Sequence, residues 1–248
     1  MPLLAKRRRI AILEYLPMSA LTKSLSAFVC SSIGKKFLVA LTGAALVIFI
    51  LGHMLGNLLI FLGPDALNAY GHKLQSMGAL LWIARIGLLV TVAIHIIFTI
   101  KLTRENRVAR ANRYGYQATI QASKSSRYMI FSGLTVLAFI VYHILHFTLH
   151  VGNNYGELHA NLHGETVHDV YTMVIHGFSW IPASIFYIFA MGLLCSHLSH
   201  GVSSMFQTLG LATARTWPAF KGLGLAYAAL IFIGNCSIPL AVMLGWVK

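Results

Sequence analysis

Four histidines, His53, His95, His143 and His197, each sit inside a separate long apolar stretch of this chain. Hydrocarbon solvates imidazole poorly, so a histidine at membrane depth faces the interior of a helix bundle, where it makes a hydrogen bond or binds something. At a rise of about 1.5 Å per residue, measured from the basic side of the chain, His53 and His143 lie roughly 23–24 Å deep. On the same scale His95 and His197 lie roughly 9–12 Å deep. The four therefore sort into two depth-matched pairs, His53 with His143 and His95 with His197. Interhelical hydrogen bonding would account for any one of them alone. Matched pairs on four different stretches fit two metal-centred cofactors stacked across the membrane, each iron held by two axial imidazoles.

Two b-type haems are the group this pattern suits. The irons would stand about 10–15 Å apart in depth. Bis-imidazole ligation leaves no open iron position, so such sites carry electrons rather than activate oxygen. Small residues accompany the ligands: Gly52 and Gly56 beside His53, Gly133 before His143, Gly192 and Gly201 around His197. A flat macrocycle between helices needs such gaps, although small residues are common in any membrane bundle. His146, one turn beyond His143, and His200, one turn beyond His197, compete for the same roles, and periodicity does not choose between them. His150 belongs to a span boundary. His159, His163, His168 and His176 fall in or near a polar connection with Glu157 and Asp169, at spacings that fit no compact metal motif.

The elements that must position these residues follow from composition. Of 248 residues 57% are hydrophobic and only 10% are charged, where a soluble domain carries roughly a quarter charged. Five stretches, at about 37–62, 80–101, 128–150, 177–205 and 223–246, approach the roughly 20 residues that span hydrocarbon. The prediction is an all-α membrane protein, a bundle of five transmembrane helices in a single domain over 1–248, with a lead-in over 1–36. Nineteen Lys and Arg against six Asp and Glu give a formal charge of +13, a balance that in a soluble protein would point to nucleic acid. Here the positive charges fall in the connections, where they set topology and meet anionic lipid. The N-terminal segment holds seven, the 101–127 connection seven and the connection before the last span two, while Lys73, Arg85 and Lys248 are left for the other side. The positive-inside rule then places the N-terminus in the cytoplasm and the C-terminus outside. The basic run Lys6–Arg9 has no continuous apolar core after it before Pro17, unlike a cleavable signal peptide. Cys30, Cys195 and Cys236 stand alone, with no CxxC or CxxCH for zinc, iron–sulfur or covalent haem. No internal repeat stands out.

These features together resemble a known family. The patches SSIGKK (31–36), GHMLGNL (52–58), GPDALNAYGHKL (63–74), IHIIFTIKLTRENRVAR (94–110), YHILHFTL (142–149) and HLSHGVSSMFQTLG (197–210) occur in order over nearly the whole chain. Their combination resembles the single-polypeptide, five-helix, dihaem cytochrome b anchor of succinate:quinone oxidoreductases, the succinate dehydrogenases and fumarate reductases. The resemblance implies four haem ligands, one from each of the first four helices, paired first with third and second with fourth. It carries them onto His53, His95, His143 (which opens the HxxHF-like patch, in preference to His146) and His197 (with Ser199 and Gly201 after it, in preference to His200). It implies partners as well: a flavoprotein with covalent FAD that interconverts succinate and fumarate, and an iron–sulfur protein with three clusters, docked on the cytoplasmic face of a bacterial-type membrane. Electrons would pass through the inner haem (His95, His197) and the outer haem (His53, His143) to menaquinone or ubiquinone, or in reverse. The anchor would then be the quinone-reactive, electron-transfer subunit of an enzyme, without dicarboxylate chemistry of its own.

Quinone or propionate candidates are Ser31, Ser32 and Lys36 at the start of the first span, and His72, Lys73 and Arg85 around the start of the second. Each could donate to a quinone carbonyl at the membrane edge, and each would equally serve as an interface anchor. All six acids lie outside the spans or at their edges. Some relatives have a glutamate two residues before the fourth ligand, associated with proton movement; Cys195 stands there in this chain, which predicts no carboxylate relay through the bilayer. Two other readings remain: a dihaem anchor of a hydrogenase or formate dehydrogenase, and a histidine-using transporter. The latter calls for paired helix breaks in corresponding halves, which Pro182 and Pro239, the span prolines, do not form.

Overall fold

A computed structural model describes residues 20–109 and 127–248. The basic run Lys6–Arg9 with most of the lead-in, and residues 110–126 of the second connection, lie outside the described residues. The elements in chain order are α1 (Ala20–Cys30), α2 (Ser32–Asn57), a 3-10 turn (Leu58–Leu62), α3 (Pro64–Ser76), α4 (Ala79–Val108), α5 (Met129–Phe147), a short 3-10 turn (Tyr155–Glu157), β1 (His159–Leu162), β2 (Glu165–His168), α6 (Val170–Ser179), α7 (Ile181–Thr208) and α8 (Trp217–Met243). Among the described residues five helices are long and apolar enough to cross a membrane: α2 with its 3-10 extension, α4, α5, α7 and α8. The architecture is an all-α bundle with one two-stranded hairpin attached to a connection.

Helix boundaries depart from the hydropathy spans for local reasons. The first span begins at Ser32 rather than near 37, because Ser31 caps it: the Ser31 hydroxyl accepts from the Gly34 N–H at 3.0 Å, satisfying an otherwise orphaned donor. Lys35, one turn inside, pairs with Glu105 of α4. The second span continues past Lys101 to Val108, since Lys, Leu, Arg and Glu are good helix formers once the chain has left hydrocarbon. The third stops at Phe147, and the chain turns at His150, whose φ is 53°. The fourth begins at Ile181 rather than 177. Trp180 is extended there (ψ 98°), and Pro182 in the first turn of α7 has no N–H to give to a preceding turn. The Ser184 hydroxyl, wholly buried, donates to the Phe178 carbonyl at 2.6 Å and closes this break. The last span begins at Trp217, with Pro218 tolerated in its first turn.

Helix α7 is the centre of the bundle. It packs along α8 over most of its length, and α2 and α5 pack on other faces of it. Met54 of α2, Met191 and Leu194 of α7, and Ala228 and Ile231 of α8 form the core between them. Helix α4 leans on α2 and buries no residue of its own. At the end of the bundle where α2 finishes, α3, the hairpin and α6 form a cover. It is tied by Asn68, which donates to Asp169 at 3.0 Å and accepts from the Tyr171 N–H at 3.0 Å. Two strands of polar alternation, HANL and ETVH, pair in antiparallel register with His159 opposite His168, an element that hydropathy does not signal.

Candidate functional site

The four sequence-selected histidines occupy two levels of the bundle. At the hairpin end, His53 of α2 and His143 of α5 face each other with ring centroids 5.6 Å apart and planes at 88°. Two imidazoles on opposite sides of one metal ion would have centroids roughly 6 Å apart, given a metal–nitrogen distance of about 2.0 Å on each side. In each helix the residue four positions earlier lies on the same face: Phe49 stacks on His53 at 5.5 Å, and Phe139 on His143 at 5.9 Å. The His143 Nδ1 is 3.3 Å from the hydroxyl of buried Tyr187. The Nε2 of His53 lies 3.4 Å from the Asn57 amide, a long secondary contact, since that amide already donates to the His53 carbonyl at 2.8 Å.

At the other level His95 of α4 rests on α2 and His197 of α7 rests on α5. The His95 Nδ1 is 3.1 Å from the Thr42 hydroxyl, and a Cβ placed on Gly43 would come within 3.4 Å of its ring. The His197 Nδ1 is 3.3 Å from the Ser132 hydroxyl, and a Cβ on Gly133 would come within 3.3 Å of that ring. Each imidazole therefore lies in contact distance of its glycine, most tightly at Gly133. His95 and His197 are close enough to interact electrostatically. From the Thr42–Gly43 step to His53 is ten to eleven residues of one helix, so the two levels are separated by roughly 15–16 Å. None of the four rings is fully covered by protein.

The alternative histidines lie elsewhere. His146 packs against Tyr142, Phe147 and Tyr155, and its Nδ1 is 3.2 Å from the Tyr187 hydroxyl. Tyr187 thus stands between His143 and His146. His200 follows one turn after His197, and its carbonyl accepts from Ser203 at 3.0 Å. The quinone candidates are not brought together in one cavity. Ser31 is engaged in capping α2, while Ser32 and Lys36 are exposed on its first turns. His72 faces Glu165 of the hairpin at 3.5 Å, Lys73 is exposed on α3, and Arg85 lies over the Trp82 ring at 5.2 Å. An open apolar groove of about 600 Å³ lies instead along the start of α7, lined by Ile181, Pro182, Ile185, Phe186 and Phe189.

In the cover, His150 and His168 have ring centroids 5.7 Å apart, and burial pushes the His168 pKa down. Burial alone would raise the Asp169 pKa, but the hydrogen bonds it accepts from Thr172 and Asn68 outweigh it and hold the carboxyl below its ordinary range. Among the described residues no group of three or more His, Cys, Asp or Glu is arranged to hold a bare metal ion. A haem asks the protein for only two nitrogens.

Sequence reading missed an internal repeat. TGAALVIFILGH (42–53) and SGLTVLAFIVYH (132–143) align without a gap, sharing Gly, Phe, Ile and His and beginning with a hydroxyl residue. The contacts repeat with the residues: each segment cradles one histidine of the lower level and supplies one of the upper level. Aligning the two upper histidines on each other would have revealed it. Comparison with models of known families, with curated proteins and with solved structures finds no match.

Proposed function

We propose that this chain is the membrane anchor and electron-transfer subunit of a succinate:quinone oxidoreductase, holding two b haems between an iron–sulfur partner and a membrane quinone. The observation that carries this reading is the arrangement of four imidazoles at two levels on four helices, with His53 facing His143 at one and His95 within electrostatic reach of His197 at the other, the levels about 15–16 Å apart along the helices. The fit at each level rests on the chain's own atoms. At the lower level both Nδ1 atoms are engaged by hydroxyls, which leaves both Nε2 atoms for a metal; at the upper level His143 has the same disposition through Tyr187. Glycines 43 and 133 let the Nδ1 edges of the two rings lie close against α2 and α5. Helix α4, which carries His95 and leans on α2, has no fully buried residue, as expected of a helix whose open side is covered by a flat prosthetic group.

A haem at each level supplies reversible one-electron exchange. The protein's part is to hold each pair of rings in fixed orientation, to keep the sites in an apolar bundle, and to set their spacing by the rigid rise of α2 and α5. With the N-terminus in the cytoplasm, as the charge distribution predicts, His95 and His197 form the inner site and His53 and His143 the outer one. The inner site would then receive electrons from the iron–sulfur partner, which is fed by a flavoprotein that oxidises succinate. The outer site would serve quinone, of either the menaquinone or the ubiquinone class. Membrane carboxylates take no part, since Cys195 occupies the position that would hold one.

The test is a reduced-minus-oxidised spectrum of the purified complex, with pyridine haemochrome quantification per anchor chain. Two b haems per chain are expected, both reducible by succinate. His95→Ala should remove the inner haem and His53→Ala the outer. A folded complex without haem overturns the proposal. Haem that is reduced by hydrogen or formate, but not by succinate, reassigns the same anchor to a different respiratory complex.

A further inference from the structure

We infer that Thr42 with Gly43, and Ser132 with Gly133, are a duplicated positioning device that fixes the tautomer and ring plane of the two inner ligands and holds the inner haem's reduction potential down. The inference rests on the function proposed above and adds two hydroxyl residues, each followed by a glycine, that no ligand motif contains. A hydroxyl has a single proton to donate. Thr42 directs its own at the Leu38 carbonyl, 2.7 Å away, with the Val39 carbonyl at 3.2 Å. Ser132 gives its proton to the Met129 carbonyl at 3.1 Å. Each oxygen therefore meets the neighbouring imidazole with a lone pair, so the Nδ1 of His95 and of His197 is the protonated nitrogen. The carbonyls of Val39 and Met129, each three residues before its hydroxyl, also face these rings. Both inner histidines are thereby set as Nδ1–H tautomers whose Nε2 lone pairs are free for iron.

The adjoining glycine makes the approach possible. A Cβ at 43 would touch the His95 ring at 3.4 Å and one at 133 would press the His197 ring at 3.3 Å, so any bulkier side chain there competes with the imidazole for the space beside the hydroxyl. Hydroxyl side chains that return a proton to their own helix are common in membrane segments. Such back-bonding does not by itself put a histidine of another helix on the same oxygen, with a glycine next to it, at two corresponding positions of a repeat. Metal-bound histidines characteristically donate their second N–H to an oxygen, which raises the basicity of the ligating nitrogen. A more basic ligand favours the ferric state, and hydrogen bonding of this kind is among the levers a protein has on a haem's potential. Because α2 and α5 also supply the outer ligands eleven residues later, the orientation of the inner rings and the placing of the outer ones are fixed by the same two helices.

The experiment uses the whole complex, with Thr42→Val and Ser132→Ala as removals and Thr42→Ser and Ser132→Thr as conservative controls. Redox titration of the two haems and low-temperature EPR of their ferric signals are read in each. The haem lost in His95→Ala identifies the inner signal. Each removal should make the inner haem easier to reduce, on the order of three- to tenfold in equilibrium constant, where tenfold is about 59 mV for one electron. It should also shift the inner ferric EPR signal while leaving the outer haem unchanged; the conservative variants should stay with the wild type. Because the two removals lie on different helices, failure of one to assemble leaves the other to decide. Inner potentials and signals unmoved in the removals, or a shift confined to the outer haem, overturn the inference. A wild-type complex without haem sinks the function itself, whereas a two-haem wild type with insensitive variants sinks only the positioning device.

Discussion

Histidine is an expensive residue inside hydrocarbon, and its cost falls when both nitrogens are used. That is why the neighbours of each ring matter as much as the ring. His143 and His146 share the Tyr187 hydroxyl, yet His143 is the one that faces His53 across the bundle. This separates two residues that helical periodicity leaves equivalent. His143→Ala should remove one haem per chain, and His146→Ala should retain both; the same contrast is expected for His197→Ala against His200→Ala. Haem content per chain measures it directly, and a chain that keeps two haems without His143 would reverse the assignment. The approach of His53 to His143 was legible because depth along a helix is simple arithmetic once the spans are known. The hydroxyls beneath the inner rings were not, because mid-span Thr and Ser residues occur throughout the chain and only the fold reveals which of them meets an imidazole.

At the scale of elements, hydropathy locates the spans but not their ends, which are set by single residues acting locally. Ser31 starts α2 ahead of the apolar run, and Trp180 with Pro182 divides a continuous apolar stretch into α6 and α7. The sequence places Asp169 in a polar connection; in the fold it is the cap of α6, accepting from the Thr172 N–H at 3.0 Å and its hydroxyl at 2.7 Å, and it also holds α3 through Asn68. Removing such a cap costs about 0.5–2 kcal/mol. Asp169→Ala should therefore lower the thermal unfolding midpoint of the detergent-solubilised protein at neutral pH. The carboxyl's pKa is held below its ordinary value of 3.8, so the ionised group stabilises the fold above that value and the contribution is lost as pH falls through the depressed pKa. Unfolding midpoints of wild type and variant, followed by circular dichroism, should converge below about pH 4. Curves that stay parallel well below that pH would show that the charge of Asp169 is not what ties α3 to α6. The repeat in α2 and α5 escaped notice for a related reason: four identities in twelve residues are thin in apolar sequence, and its meaning lies in what the other helices place against it.

For the whole molecule the asymmetry of charge is the feature that gives the two levels their direction. Sixteen of nineteen Lys and Arg fall to one side of the predicted spans, from which the positive-inside rule predicts the start of α2 and the far end of α4 in the cytoplasm and the hairpin cover outside. The Lys35–Glu105 pair joins α2 to α4 at that basic end, while Asp169 and Asn68 close the opposite end. The proposed electron flow, from a cytoplasmic iron–sulfur partner through the His95–His197 level to the His53–His143 level, depends on this orientation; inverted, the same histidines would present the His53–His143 site to the partner first. Native Cys30 is exposed at the basic end and offers a reporter, and Thr166 is exposed in β2 at the other. A membrane-impermeant maleimide should label Thr166→Cys in intact spheroplasts and Cys30 only after lysis, with Cys195 and Cys236 replaced by serine to remove background. Labelling of Cys30 in intact spheroplasts would invert the molecule. The order of the two sites along the electron path would then have to be reversed, even though the pairing of their ligands would stand.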